Sequence, residues 1–325
     1  MEFRLDGTQI ELQQTVSRFF ADRFPLDSLA PREGAPLDRA AWAEIAALGV
    51  LGLLAGEDAG GAGLGLVEAA LVFEQVGSHL VAGPLLWTVL AAPLLVGAAS
   101  GDVLIGGTTA PPDDDSAVVA HASDVDVVLL VGTDAVVVHR VEDLEPAEQL
   151  APLDPLTPVG RFRGLGGGQL VGGRDEAESM RARGTALSAA VLAGVASRAV
   201  EVATAYALER HQFDVPIGSF QAVKHILADM YLRSTLAQSA TYAAAAVVQD
   251  PSGHDPTRAA AGAKLLAAEA AIDNASAAVQ VLGGMGFTWD MLPNYLLKRA
   301  WVVEQDFDSA DQHALRLGST LVGTR

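Results

Sequence analysis

The chain has 325 residues, of which 50% are hydrophobic and 6% aromatic, and its formal net charge is −19. A negative charge of this size argues against nucleic acid or an anionic membrane as a partner. The sequence contains no cysteine, which excludes disulfides, thiolate metal sites and thiol nucleophiles among these residues. The length and the apolar content allow two or three domains with a large core.

The first hundred residues have helical periodicity. A first helix is predicted to begin at Thr8 as its N-cap, and a second to run from the cap Asp38 to about Gly49. A third is predicted over "LVEAALVFEQVGSHL" (66–80). The stretch "GEDAGGAGLG" (56–65) follows no strand and contains two acids. It is therefore interpreted as a connection between helices and not as a phosphate-binding loop.

Residues 102–173 consist of short β-branched runs separated by Asp, Gly and Pro, which predicts a small β domain. The runs are "DVLIGG", "SAVVAHA", "VDVVLLVG" and "AVVVHRV". Residues 102–154 hold twelve acids and one base. We interpret them, including "PPDDDS", as a solvated acidic surface and predict no metal site.

The remainder returns to helical periodicity. Long helices are predicted at about 175–210, 220–249 and 255–282, and the second has an apolar stripe of Phe220, Val223, Leu227 and Met230. The stretch "GGMGF" (283–287) interrupts the helical pattern, and one or two shorter helices are predicted after it. The predicted fold class is thus α+β and mainly α, with an N-terminal helical domain (1–101), a reduced β domain (102–173) and a C-terminal four-helix domain (174–325).

The opening residues lack the pattern of a signal peptide, and the longest apolar runs are too short for a membrane span. These features predict a soluble, cytoplasmic protein that makes no membrane contact.

Two stretches of the C-terminal domain carry a family resemblance. "YALERHQFDVPIGSFQAVKHILADM" (206–230) resembles the acyl-CoA dehydrogenase signature, in which a helix ends in Arg-x-Gln-Phe-Gly and restarts at Phe-Gln. "QVLGGMGF" (280–287) resembles a second motif of that family, and residues 48–80 resemble its N-terminal helices with their Gly-Gly loop. The three lie in the family's order along nearly the whole chain.

The resemblance implies FAD at a subunit interface. A guanidinium suits the pyrophosphate and an aromatic ring suits adenine or flavin, which are the parts implied for Arg210 and Phe213. Arg210 as a helix C-cap, Phe220 as a core residue and the glycines as a helix terminator are alternative interpretations. The residues implied to contact FAD, the last three of them from the partner side, are Arg210, Gln212, Phe213, Phe220, Gln221, Gln280, Gly283 and Gly284.

The implied reaction is α,β-dehydrogenation of an acyl-CoA thioester, which needs a base for the α-proton. Alignment on Arg299 and Gln305 puts Asp308 where many members have a glutamate base. Aspartate has the right chemistry but one methylene less reach, and about 1 Å of misplacement can cost on the order of a hundredfold in rate. An ordinary helix N-cap is an equally good interpretation of Asp308.

Several parts of the family pattern are missing. The Thr-Glu-Pro-x-x-Gly-Ser-Asp segment and the Lys-x-Trp-Ile-Thr-like strand of the family's β domain have no counterpart, and Thr185 stands where an arginine for CoA is often found. The partner-side FAD motifs are therefore kept while the flavin-ring and substrate side is eroded. In this respect the chain resembles the short subunits of heteromeric acyl-CoA dehydrogenases that act on bulky, steroid-like acyl-CoAs.

Three hypotheses follow for the function. The first is an accessory subunit of an FAD-dependent α2β2 acyl-CoA dehydrogenase in lipid degradation, paired with a full-length homologue and passing electrons to electron-transfer flavoprotein. The second is a catalytic homo-oligomer with Asp308 as its base. The third is a flavin-free scaffolding or binding module that has the same fold.

Overall fold

The structure is a computed structural model that describes residues 5–109 and 116–322. Its helices are α1 (Gly7–Arg23), α2 (Arg39–Ala47), α3 (Leu66–Ser78), α4 (Leu85–Ala91), α5 (Arg174–Glu209), α6 (Gln221–Gln249), α7 (Pro256–Leu282), α8 (Leu292–Glu304) and α9 (Ala310–Val322). Its strands are β1 (Ile105–Thr108), β2 (Ser116–Ala120), β3 (Val127–Val131), β4 (Val136–Arg140), β5 (Glu148–Leu150), β6 (Val159–Arg163), β7 (Gln169–Gly172), β8 (His211–Gln212) and β9 (Val215–Pro216). The predicted fold class, mainly helical with a small β region, is confirmed.

The chain divides into two compact units. The first contains Met1–Ala30, Ala70–Val81 and Ala186–Arg325, and the second contains Pro31–Ala69 and Ala82–Thr185. The division into three domains at residues 101 and 173 stays a prediction.

The second unit contains two sheets. One has the strand order β1-β3-β4-β7, in which β1 and β3 are parallel, and the other has the antiparallel order β2-β6-β5. A core of buried Val119, Val128, Phe162 and Leu165 forms in this unit. The four predicted β-branched runs are β1–β4, whereas β5–β7 were not predicted. The acids Asp113–Asp115 lie outside the described residues.

Aspartate side chains cap α1, α2 and α7, and the cap of α2 is the predicted one. Asp38 accepts hydrogen bonds from the backbone N–H groups of the first turn of α2, and Asp255 caps α7 in the same way. The predicted cap of α1 was wrong, because its N-cap is Asp6 and not Thr8. Asp6 and Gln9 form a capping box with each other's backbone N–H groups, which satisfies two orphan donors at once.

In the first unit, α3 and α5 approach so closely that their backbones touch. A Cβ atom added to Gly77 would lie 1.9 Å from the carbonyl oxygen of Val191, and one added to Gly194 would lie 1.9 Å from that of Glu74. Side chains never tolerate such distances. Both glycines are therefore required by helix packing and not by backbone conformation.

The buried carboxylate of Glu74 links α3 to α1 and α6. Gln238 Nε2 donates to its Oε1 at 2.7 Å, Gln13 Nε2 donates to its Oε2 at 3.4 Å, and the Tyr242 hydroxyl also donates to Oε2. Burial raises the pKa of Glu74, although the hydrogen bonds from Tyr242 and Gln238 oppose the shift. The network ties three helices of the first unit together through one titratable group.

This network predicts a pH dependence of stability. The folded chain keeps a proton on Glu74 at pH values where the unfolded chain has lost it, so the free energy of unfolding should fall as pH rises from 4.5 to the raised pKa. For one proton the slope is at most about 1.4 kcal/mol per pH unit. Denaturant titrations across this range should show the slope, and Glu74→Gln should make it shallower. Equal slopes in the two proteins would contradict the assignment.

Two helical stretches of the described residues, Arg174–Glu209 and Pro256–Phe287, have the length and composition of membrane spans, with mean hydropathies of 1.5 and 1.2. In the folded chain 72% and 50% of these windows are buried. Core helices of soluble proteins have the same character, so these helices are consistent with a soluble protein.

Candidate functional site

The connector between α5 and α6 is a small hairpin of β8 and β9. Its two central residues, Phe213 and Asp214, have φ angles of 53° and 64°, as a two-residue type I′ turn requires. The backbone N–H of Ile217 donates to the Arg210 carbonyl at 2.7 Å and closes the hairpin. The Arg210 side chain is exposed. The signature motif thus forms a rigid, solvent-facing turn at the end of α5.

Two aromatic rings stand on this hairpin. The Phe213 and Phe220 rings meet edge to face with centroids 6.2 Å apart. Phe213 is 86% exposed and Phe220 37% exposed, so Phe220 is not an internal core residue. Exposed aromatic surface of this kind suits the face of a planar ring system. Gln212 and Gln221, the other predicted residues of the motif, are exposed beside them.

The N-terminus of α6 adds an anion-binding feature. Phe220 occupies the N-cap position and makes no side-chain cap hydrogen bond. The first N–H groups of a 29-residue helix thus lack a side-chain acceptor at the positive end of the helix dipole. With the Arg210 guanidinium on the connector, these donors fit a pyrophosphate. The residues present therefore fit the adenosine and pyrophosphate parts of FAD.

The second predicted motif lies at the end of α7. Gly283 has φ 62° and ψ −136°, a conformation that is essentially open to glycine alone. A Cβ atom added to Gly284 would have no atom within 4 Å, so its exposed backbone leaves room for a ligand. Gln280 is exposed on the last turn of α7.

Gly286, the third glycine of this motif, was not among the predicted site residues. A Cβ atom on Gly286 would lie 2.3 Å from the Val279 carbonyl oxygen, so the turn packs against α7 only with glycine there. Its place in "GGMGF" was the available signal. The turn leaves two large apolar side chains exposed, Met285 by 53% and Phe287 by 77%. Trp289 follows and stacks under Lys298, whose Nζ lies 3.1 Å from the ring centroid.

The predicted base, Asp308, lies in the turn between α8 and α9. Its carboxylate forms an ion pair with Arg316 at 2.5 Å, and 15% of its side chain is exposed. The interpretation of Asp308 as a helix N-cap is wrong. Ser309 is the cap, since its Oγ accepts from the Gln312 backbone N–H at 3.3 Å and Gln312 Oε1 accepts from the Ser309 N–H at 2.8 Å. Asp308 is thus outside the cap position and paired with Arg316.

Within the described residues, no group of three or more His, Asp or Glu side chains is arranged to hold a metal ion. Thr185, at the position where a CoA-binding arginine was expected from the resemblance, donates its hydroxyl to the Arg181 carbonyl inside α5 at 2.8 Å. The nearby Arg181 donates to the Val131 carbonyl at 3.3 Å.

Comparison with known proteins gives matches over most of the chain. The family models "Acyl-CoA dehydrogenase, C-terminal domain" and "Acyl-CoA dehydrogenase, N-terminal domain" match residues 173–304 and 6–100. Acyl-CoA dehydrogenase IpdE2 of Mycobacterium tuberculosis is 32% identical over 289 residues, which are 84% of this chain and 83% of IpdE2. Acyl-CoA dehydrogenase FadE34 of the same organism is 33% identical over 81% of this chain, but the chain spans only 39% of FadE34.

Among solved structures, the ChsE4-ChsE5 complex from Mycobacterium tuberculosis contains a chain with a TM-score of 0.86 and 26% identity, and the alignment covers 100% of both chains. Butyryl-CoA dehydrogenase from Megasphaera elsdenii has a TM-score of 0.85 at 19% identity over 99% of this chain and 100% of that one. The second likeness shows the fold alone.

Proposed function

The chain belongs to the acyl-CoA dehydrogenase family, and from this premise we propose that it is the accessory subunit of an FAD-dependent α2β2 acyl-CoA dehydrogenase. A full-length homologue would be its partner. The likeness to a chain of the ChsE4-ChsE5 complex over the full length of both chains is the observation that carries the proposal. That complex joins two different proteins, and an assembly of the same kind is what the eroded sequence pattern predicts for this chain.

The exposed motifs support a role in cofactor binding. Arg210 and the first N–H groups of α6 offer donors for a pyrophosphate, and Phe213 offers a flat apolar face. Gly284 leaves an open backbone on the second motif. When bound, FAD supplies the acceptor for the hydride from the β-carbon. The residues of this chain would bind and orient it from one side of a subunit interface.

The state of Asp308 supports a base supplied by the partner. A general base needs a carboxylate within reach of the proton it removes. Here the carboxylate is held by the Arg316 guanidinium, which occupies one of its oxygens. Asp308 is also one methylene shorter than glutamate. In an accessory subunit neither feature has a cost.

One observation favours a second candidate, a catalytic subunit with Asp308 as its base. Phe307 and Asp308 have φ angles of 56° and 78°, and left-handed backbone at non-glycine residues concentrates at functional sites. In that case the Arg316 ion pair would have to open when acyl-CoA binds.

Substitution of Asp308 separates the two candidates. For an accessory subunit, Asp308→Asn should leave flavin reduction by acyl-CoA in the assembled complex within about threefold of wild type, because an amide there alters no reacting group. Single-turnover stopped-flow spectroscopy of the flavin measures this rate. A loss of more than about a thousandfold, with acyl-CoA still bound, would establish Asp308 as the base.

The substrate class and the electron acceptor complete the proposal. The resemblance to short subunits of steroid-type enzymes supports a bulky, steroid-like acyl-CoA, and family membership supports electron-transfer flavoprotein as the acceptor. The negative charge of −19 is typical of a soluble protein, and a cytoplasmic location is part of the proposal. Turnover of a panel of short, long and steroid-like acyl-CoAs, with electron-transfer flavoprotein as the acceptor, tests both parts.

A further inference from the structure

The turn between α8 and α9 is held in an unfavourable conformation. Two consecutive residues, Phe307 and Asp308, have left-handed φ angles of 56° and 78°. Phe307 is also an aromatic residue that is only 2% exposed. Left-handed backbone brings the Cβ atom of such residues too close to the backbone, and it persists only where the surroundings impose it.

A buried lysine lies directly beneath this turn. Lys264, in the middle of α7, is 0% exposed. Its Nζ donates to Ser188 Oγ at 2.9 Å and to the carbonyl oxygens of Val303 and Asp306, both at 2.8 Å. The two carbonyls belong to the last turn of α8 and to the residue before Phe307. The Val303 carbonyl also accepts from the Asp306 backbone N–H at 3.1 Å, and a cation is favoured at the C-terminal end of a helix.

The hydrogen bonds of Lys264 do not depend on its charge. Burial lowers its pKa to about 8, against the opposing charges of Asp306, Glu304 and Asp308. An ammonium can donate to all three partners, whereas a neutral amine can donate to the two carbonyls and accept from the Ser188 hydroxyl. The turn is therefore held on both sides of this pKa.

A histidine makes a second tie to the turn. His313, on α9, is 3% exposed, and its Nε2 lies 2.9 Å from the Phe307 carbonyl oxygen. Burial lowers its pKa, and because a carbonyl oxygen can only accept, Nε2 donates in this contact. Buried side chains thus fix two consecutive carbonyls of the turn. Lys264 holds that of Asp306, which precedes the left-handed pair, and His313 holds that of Phe307, the first residue of the pair.

We propose that Lys264, assisted by His313, is a positioning residue that holds the α8–α9 turn in its left-handed form and so fixes Asp308 against Arg316. The inference goes beyond the proposed function, in which the base comes from the partner, and concerns the turn that aligns with the position of the family's base. The hydrogen bonds that carry it lie wholly within this chain.

A mutant cycle in the full-length chain tests the proposal. Lys264→Met should lower the Tm by roughly 5 °C and speed hydrogen exchange at residues 305–309 by at least about tenfold. The exposed Lys224 provides the matched control, and Lys224→Met should change neither value. Asp308→Gly removes one of the left-handed penalties, so the loss caused by Lys264→Met should shrink by at least about half in that background.

A second background separates strain from charge. Asp308→Asn removes the ion pair but keeps a side chain in the left-handed region, so Lys264→Met should have its full effect there. If Lys264→Met abolishes folding, His313→Leu replaces it in the same cycle with the same expectation. Equal losses in the wild-type, Asp308→Gly and Asp308→Asn backgrounds, or unchanged exchange at 305–309, would overturn the proposal. These readouts report stability and local exchange and not flavin content or turnover, so their failure is distinguishable from failure of the proposed function.

Discussion

Replacing Arg210 with alanine should lower the affinity of the assembled complex for FAD by about ten- to a hundredfold. The guanidinium projects from the connector that precedes the N-terminus of α6, and a bidentate contact with a pyrophosphate combines charge with hydrogen bonding. Such charge-assisted hydrogen bonds contribute roughly 1.5–3 kcal/mol each, which corresponds to this range of affinity. Titration of the apo-complex with FAD, followed by flavin fluorescence, measures the change.

A matched arginine on the same unit serves as the control for this prediction. Arg258 is exposed on the first turn of α7, and Arg258→Ala should leave FAD affinity unchanged. Circular dichroism should show intact helices in both variants, because the Arg210 side chain is exposed. Wild-type FAD affinity in Arg210→Ala, with helices intact, would show that the signature motif does not contact the cofactor.

Replacing Gly194 with alanine should destabilise the first unit strongly. The added Cβ atom would lie 1.9 Å from the Glu74 carbonyl oxygen, and neither atom can move without separating α3 from α5. Overpacking of this kind costs typically about 1–3 kcal/mol and occasionally more. The same displacement would move Glu74, whose carboxylate links α3 to α1 and α6. Denaturant unfolding measures the loss, and Gly77→Ala should behave similarly because its Cβ would meet the Val191 carbonyl at 1.9 Å.

Gly262 on α7 is a matched glycine-to-alanine control. No atom lies within 4 Å of a Cβ atom added there, so Gly262→Ala should stabilise the chain by up to about 1 kcal/mol through helix propensity. Opposite signs at Gly194 and Gly262 are the expected result. A Gly194→Ala protein as stable as wild type would mean that the two helices do not cross at this distance.

The sequence predicted those parts of the fold that local chemistry determines. The cap Asp38 placed the start of α2, because an N-cap needs only a side-chain acceptor and the next few N–H groups. Thr8 is instead inside α1, whose cap is Asp6 because Asp6 and Gln9 close a capping box. Strands β5–β7 were not predicted, since short, exposed runs such as Glu148–Leu150 carry little hydrophobic pattern.

The candidate site was predictable in its residues but not in their partners. The motif that contains Arg210 and the motif that contains Gly283 are each a continuous stretch of sequence, so both were found by resemblance. The ion pair between Asp308 and Arg316 depends on how the turn before α9 folds, and spacing did not reveal it. Lys264 was also missed, because one lysine in an alanine-rich helix gives no sign of whether it is buried or exposed.

The composition of the assembled protein tests the central proposal most directly. The chain should be co-expressed with a full-length homologue, and the product analysed by size-exclusion chromatography with flavin quantitation. The proposal predicts a stable α2β2 complex with about one FAD per heterodimer, and little soluble, flavin-loaded protein when the chain is expressed alone. A homotetramer of this chain alone with one FAD per subunit would contradict the proposal.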